Sequence, residues 1–110
     1  MKSINAMWGG ILTRLALDPV IQTCELRVEV VEAEGVSTHD VVCRHIVDCH
    51  FYSSIPGPWS YAEVTQVEAA YDHASALWAI EFMLWSEEAG ISIKSPEILI
   101  NGELIPIPAW

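Results

Sequence analysis

The stretch HDVVCRHIVDCHF, residues 39–51, carries two cysteines, three histidines and two aspartates within thirteen positions. Its reading separates a metal or redox protein from a β-sheet protein that uses cysteine as a small apolar residue. Taken as one extended strand over residues 41–51, it puts Cys43, His45, Val47, Cys49 and Phe51 on one face, and Val42, Arg44, Ile46, Asp48 and His50 on the other. Cys43 and Cys49 would then lie roughly 20 Å apart at about 3.3 Å per residue. One metal ion with bonds near ~2 Å does not span that gap, and a disulfide needs Cα atoms within about 7 Å. Two narrower ligand pairs remain, Cys43 with His45 and Asp48 with His50, each two residues apart on one face and completed from another strand. Neither has the C-x-x-C or H-E-x-x-H spacing that makes a metal motif specific. The expectation is therefore a strand with buried thiols, and no metal or cofactor.

Working outward, the flanking segments alternate in the same way. In TCELRVEVVE (23–32), Cys24, Leu26, Val28 and Val30 oppose Glu25, Arg27, Glu29 and Val31, the two-residue period of a strand with one buried and one wetter face. ILTRLALD (11–18), AEVTQVEAAY (62–71) and ALWAIEFMLWSE (76–87) also read as strands, although the last two have enough alanine, glutamate and length to suit helices. The chain ends in short strand candidates ISIK, EILI and ELIPI, with Asn101-Gly102 as a hairpin-type turn. Pro106 and Pro108 lack backbone donors, so the last piece reads as an edge strand or an arm. MKSINAMW at the start reads as a short helix or an irregular arm. The expected fold is mostly β, with six or seven antiparallel strands closed into a small barrel or packed as a strongly twisted sandwich, and one short helix. A single open sheet covered by a helix is the competing arrangement.

The 110 residues are 52% hydrophobic, enough for one globular domain over residues 1–110. Five Lys plus Arg against fifteen Asp plus Glu give a formal net charge of -10. The cations Lys2, Arg14, Arg27, Arg44 and Lys94 are scattered singly, which argues against a nucleic-acid backbone or an anionic membrane as partner and favours a cationic one. No run approaches the ~20 apolar residues of a membrane helix. Three cysteines without a framework pattern fit a reducing compartment, so a cytoplasmic location is expected.

Catalysis finds no motif. The chain has no G-x-S-x-G elbow, phosphate-cradling glycine loop or dinucleotide fingerprint, and no catalytic residue is assigned. Glu87-Glu88 reads as a solvated turn. The unusual composition lies in FYSSIPGPWSYAEVT (51–65), where Pro56 and Pro58 stiffen a loop rich in aromatics. Tyr52, Ile55, Trp59 and Tyr61 are candidate protein-binding residues, joined by Trp110 at the C-terminus. The alternative is that these aromatics fold back to plug a barrel end or cover a sheet edge.

WSYAEVTQVEA (59–69), followed after a short turn by WAIEFMLWSEEAG (78–90), resembles the immunity protein 50 family of small, mostly β bacterial proteins. The resemblance implies a cytoplasmic protein that neutralises a toxin by direct binding, and brings no site residue with it. The leading expectation is thus a non-catalytic protein-binding domain, an immunity-type inhibitor of a basic toxin. Two alternatives stay open: a small-ligand-binding or enzymatic β-barrel whose cavity is lined by Trp78, Phe82, His45 and Cys43, and a structural domain that forms a homodimer through Ile107 and Trp110.

Overall fold

A computed structural model describes residues 2–109. A short helix, α1 (Lys2–Asn5), precedes nine strands: β1 (Gly10–Asp18), β2 (Thr23–Glu32), β3 (Gly35–Arg44), β4 (Asp48–Ser53), β5 (Ala62–Asp72), β6 (Leu77–Leu84), β7 (Ala89–Ser95), β8 (Glu97–Ile100) and β9 (Glu103–Leu104). They form one sheet in the order β4-β7-β6-β5-β1-β2-β3-β8-β9, and every pairing is antiparallel. No helix of the described residues is long and apolar enough to cross a membrane.

The mostly β, antiparallel expectation holds, but the barrel and the twisted sandwich do not. Closure would need a ladder between β4 and β9, and these strands are the two ends of the sheet order. The chain explains why. The terminal strand β9 is two residues long, and Pro106 and Pro108 follow it without backbone donors to extend a ladder. The strand count of six or seven is also too low, because residues 39–51 belong to two strands. Residues up to Arg44 end β3, His45 takes a left-handed backbone (φ 59°), and β4 starts afresh at Asp48.

The apolar face of the sheet holds the core, to which β2, β3 and β5–β8 contribute alternate residues such as Leu26, Val41, Val67, Phe82, Ile93 and Ile98. Trp78 and Phe82 are its largest members, each the kind of side chain whose burial stabilises by about 1.5–3 kcal/mol. The weak joint is between β1 and β5, which pair only over Gly10–Leu12 and Ala62–Val64 before diverging. Register shifts at Leu12/Arg14 and Val64/Gln66 flank that joint. The α1 segment covers the gap: Ile4 and Met7 enter the core, and the Trp8 indole N–H donates to the Val67 carbonyl at 3.0 Å. Gly10 is required there, since a Cβ would sit 2.6 Å from Val28 Cγ1.

Candidate functional site

The loop after β4 comes back along the sheet edge. Phe51 is in register with Ile91 and continues the apolar row of the sheet, yet it is 58% exposed because β4 has no further neighbour. Trp59 covers it edge-on, with ring centroids 6.0 Å apart. Trp59 in turn meets Trp85 at 6.2 Å, and Tyr61 meets Trp85 at 4.9 Å, both edge-to-face. The Trp59 indole N–H donates to the Pro56 carbonyl at 3.0 Å, which fixes the loop against its own prolines. A hollow of about 250 Å³ opens beside this cluster, lined by Phe51, Ser53, Ile55, Gly57, Pro58 and Trp59.

Trp85 lies just past β6 in a left-handed turn (φ 67°), and its backbone N–H donates to the Glu63 carbonyl at 2.9 Å. Its indole Nε1 is buried, and among the described residues it has no hydrogen-bond partner. A buried N–H left unmade costs about 1–3 kcal/mol, so the cluster keeps this indole in place at an energetic cost. Backbone bonds tie the cluster's loops together: the Glu63 carbonyl holds Trp85, and the Glu88 carbonyl accepts from the Ser54 N–H at 2.9 Å.

Of the sequence candidates, Ile55, Trp59 and Tyr61 come together here. Ile55 and Trp59 fold back, half-buried, against the core, whereas Tyr61 is exposed. Tyr52 does not join them. It lies on the opposite face of the sheet, over Gly90, where any Cβ would meet its hydroxyl at 2.5 Å. Burial first, and then the negative charge of Glu81, push the Tyr52 phenol up from its ordinary value. Trp110 lies outside the described residues. Sequence reasoning missed Trp85 as a member of the cluster. Trp85 was placed inside a strand, and only the Ser86–Glu88 turn residues after it hinted at an end.

A second hollow, of about 560 Å³, lies between α1 and the β5–β6 pair, with Trp8, Glu68, Ala70, Ala79 and Glu81 among its lining residues. Glu68 and Glu81 are direct cross-strand partners there, and Ser92 follows Glu81 on β7. The proposed ligand-cavity residues do not line a shared space. Trp78, Phe82 and Cys43 are packed in the core, and His45 sits exposed on the bend.

Of the metal pairs considered from the sequence, Cys43 and His45 separate, while Asp48 and His50 stay adjacent without a third ligand. His45 Nε2 faces Glu97 Oε1 at 3.5 Å, away from buried Cys43, and His50 Nδ1 lies 3.7 Å from Asp48 Oδ2 on an exposed edge. Among the described residues no group of three or more His, Cys, Asp or Glu side chains could hold a metal ion. Arg14, Arg27 and Arg44 are each bridged to a carboxylate, Glu25, Asp40 and Glu97, at 3.4, 2.8 and 3.1 Å, so these three cations form no common basic patch. No family model matches the chain, and no curated protein matches it.

Proposed function

We propose that the chain is a non-catalytic protein-binding domain that holds a basic protein partner, in the manner of the immunity-type toxin inhibitors that residues 59–90 resemble. The observation that carries this reading is the aromatic edge of Phe51, Trp59, Trp85 and Tyr61. Aromatic anchors supply most of the binding energy at protein interfaces, and a net charge of -10 speeds encounter with a cationic surface. The test is calorimetric titration against basic secreted toxins encoded beside this protein in its own genome. A complex whose association slows with added salt, and whose affinity falls at least tenfold in Phe51→Ala and Trp59→Ala, supports the reading. No complex with any of them, or a complex indifferent to both substitutions, removes it.

A second reading, self-association through the C-terminal edge, rests on Leu104 and Ile107, which are 56% and 59% exposed.

A further inference from the structure

Between β1 and β5 the sheet has a seam that its ladders leave open. The two strands pair only over Gly10–Leu12 and Ala62–Val64, so β5 from Gln66 to Asp72 has β6 on one side and, among the described residues, no strand on the other. Its backbone can be assigned residue by residue. The Val67 carbonyl accepts the Trp8 indole N–H, so Val67 turns its backbone groups away from β6. Backbone direction alternates along an antiparallel strand, and the register with β6 runs unbroken from Gln66 to Asp72. Ala69 and Tyr71 therefore also turn their N–H and C=O groups into the seam, whereas Glu68 and Ala70 spend theirs in the ladder to β6. Among the described residues no hydrogen bond outside the ladders reaches the Ala69 or Tyr71 N–H.

The two faces of the seam differ in chemistry. Glu68, Ala70, Ala79 and Glu81 alternate with the core residues Val67, Ile80 and Phe82 and line the hollow of about 560 Å³ beside Trp8. Glu68 and Glu81 stand directly opposite each other there, an arrangement in which like charges repel. Among the described residues neither is bridged by a lysine or arginine, and Lys94 on the same face stands opposite Asp48. The core side of the far lip is apolar. Leu15 and Leu17 are in register with the buried Leu26 and Cys24, yet they are 48% and 51% exposed because β1 has no second neighbour at that point. A strand added to β5 would meet carboxylates with one set of alternate side chains and an apolar lip with the other.

We infer that this seam takes an extended segment of a protein partner by strand addition to β5, with lysine or arginine at alternate positions facing Glu68 and Glu81 and aliphatic residues between them. Charge selects that occupant. The two carboxylates and the net charge of -10 oppose an acidic strand. A second copy of this chain fits poorly, because Lys2, Arg14, Arg27, Arg44 and Lys94 are too far apart in sequence for any one strand to present two cations on a face. Only the basic character of the partner is shared with the function proposed above, since the seam lies along the far half of β5, away from Phe51 and Trp59 at the β4 end of the sheet.

The probe is the acetylated and amidated peptide VKVKVKV, titrated into the whole protein and followed by amide hydrogen exchange in NMR spectra. In the free protein the Ala69 and Tyr71 amides should exchange faster than those of Glu68 and Ala70 by roughly tenfold or more, and saturation with the peptide should slow them to the rate of their neighbours. The counterpart VEVEVEV should leave all four unchanged. Glu68→Gln with Glu81→Gln should weaken VKVKVKV roughly tenfold, as the loss of two partly exposed ion pairs implies. The probe is not a toxin, so an absent toxin complex leaves this result standing, and an absent peptide complex leaves the aromatic edge standing. Binding without slower exchange at Ala69 and Tyr71, equal binding of the two peptides, affinity unchanged in the doubly substituted protein, or no binding at all overturns the inference. Slow exchange of both amides in the free protein that grows with its own concentration would put a second copy in the seam and overturn it as well.

Discussion

Ser95 is a fully buried hydroxyl at the meeting point of three strands. Its Oγ donates to the Arg44 carbonyl at 2.6 Å, lies 2.8 Å from the Glu97 carbonyl, and accepts the Glu97 N–H at 3.3 Å. It therefore ties the end of β3 to the β7–β8 corner, just where the backbone leaves the ladder. Ser95→Ala takes this partner from the Arg44 carbonyl and the Glu97 N–H, and is expected to cost about 1 kcal/mol in urea unfolding. A loss below a few tenths of a kcal/mol would show that the hydroxyl carries no such tie. Cys43 supplies a second residue-scale expectation. Burial pushes its thiol up from 9.0 to about 12, so the folded chain holds this proton more tightly than the unfolded chain does. The resulting stability is complete below pH 9 and is lost as pH rises toward 12. Urea midpoints measured under reducing conditions between pH 8 and 11 should therefore decline with pH. Cys43→Ala should flatten that decline while lowering the midpoint at pH 8, and an unchanged slope would contradict the cause given.

Two hairpins share one turn chemistry, and it lies in their first residue. After β1, Asp18 Oδ1 accepts the Val20 and Ile21 N–H groups at 2.9 and 3.3 Å, and the loop closes with Gln22 at φ 54°. After β5, Asp72 accepts the Ala74 N–H at 3.0 Å and the Ser75 hydroxyl at 2.9 Å, and Ala76 closes the loop at φ 58°. Asp side chains favour such turns because they supply acceptors for backbone donors two residues on. The Ser75 hydroxyl first, and the Ala74 N–H next, hold the Asp72 carboxyl below its ordinary value of 3.8. A depressed folded value means stability present above the unfolded pKa and lost as pH falls through the folded one. Asp72→Ala should lower the thermal midpoint at pH 7 and remove part of its fall below pH 4, whereas an acid limb identical to that of the unsubstituted protein would dismiss the turn as its source. Strand positions such as 23–30 were legible because polar and apolar residues alternate there, and the structure has β2 over Thr23–Glu32. The break at residues 45–47 was not legible, since His45 takes a glycine-like backbone without being glycine and no Gly or Pro marks the turn. The first half of β3, GVSTHD, carries too few apolar residues to announce a strand and is ordered by its ladder to β2. The aromatic loop was legible as a loop. Its division into Trp59 on one face of the sheet and Tyr52 on the other was not, because that depends on which strand β4 chooses as neighbour.

An open sheet leaves edges, and the two edges of this molecule are guarded unequally. The β4 edge is covered in part by the proline-stiffened loop and carries Asp48 and His50. The β9 edge is very short and followed by prolines, a common device against indefinite strand addition. It nonetheless leaves Leu104 and Ile107 more than half exposed. Such a surface suits a closed pair of copies better than a growing ladder, since each proline denies the next strand a donor and a two-fold contact uses the same residues from both chains. The net charge of -10 opposes that pairing, and the opposition depends on screening. At about 0.01 M salt the Debye length is near 30 Å, comparable with the molecular extents of 37 × 33 × 26 Å, so the like charges of two copies repel across the whole contact. At about 0.15 M it shrinks to ~8 Å, so the repulsion no longer reaches across the molecule. Light scattering at micromolar concentration should accordingly move from the 12.2 kDa chain mass toward twice that value as salt rises over this range. Leu104→Lys with Ile107→Lys should hold the protein at the single-chain mass throughout. A mass of 12.2 kDa for the unsubstituted chain at every salt concentration would rule out the pairing and leave the C-terminal edge as plain exposed surface.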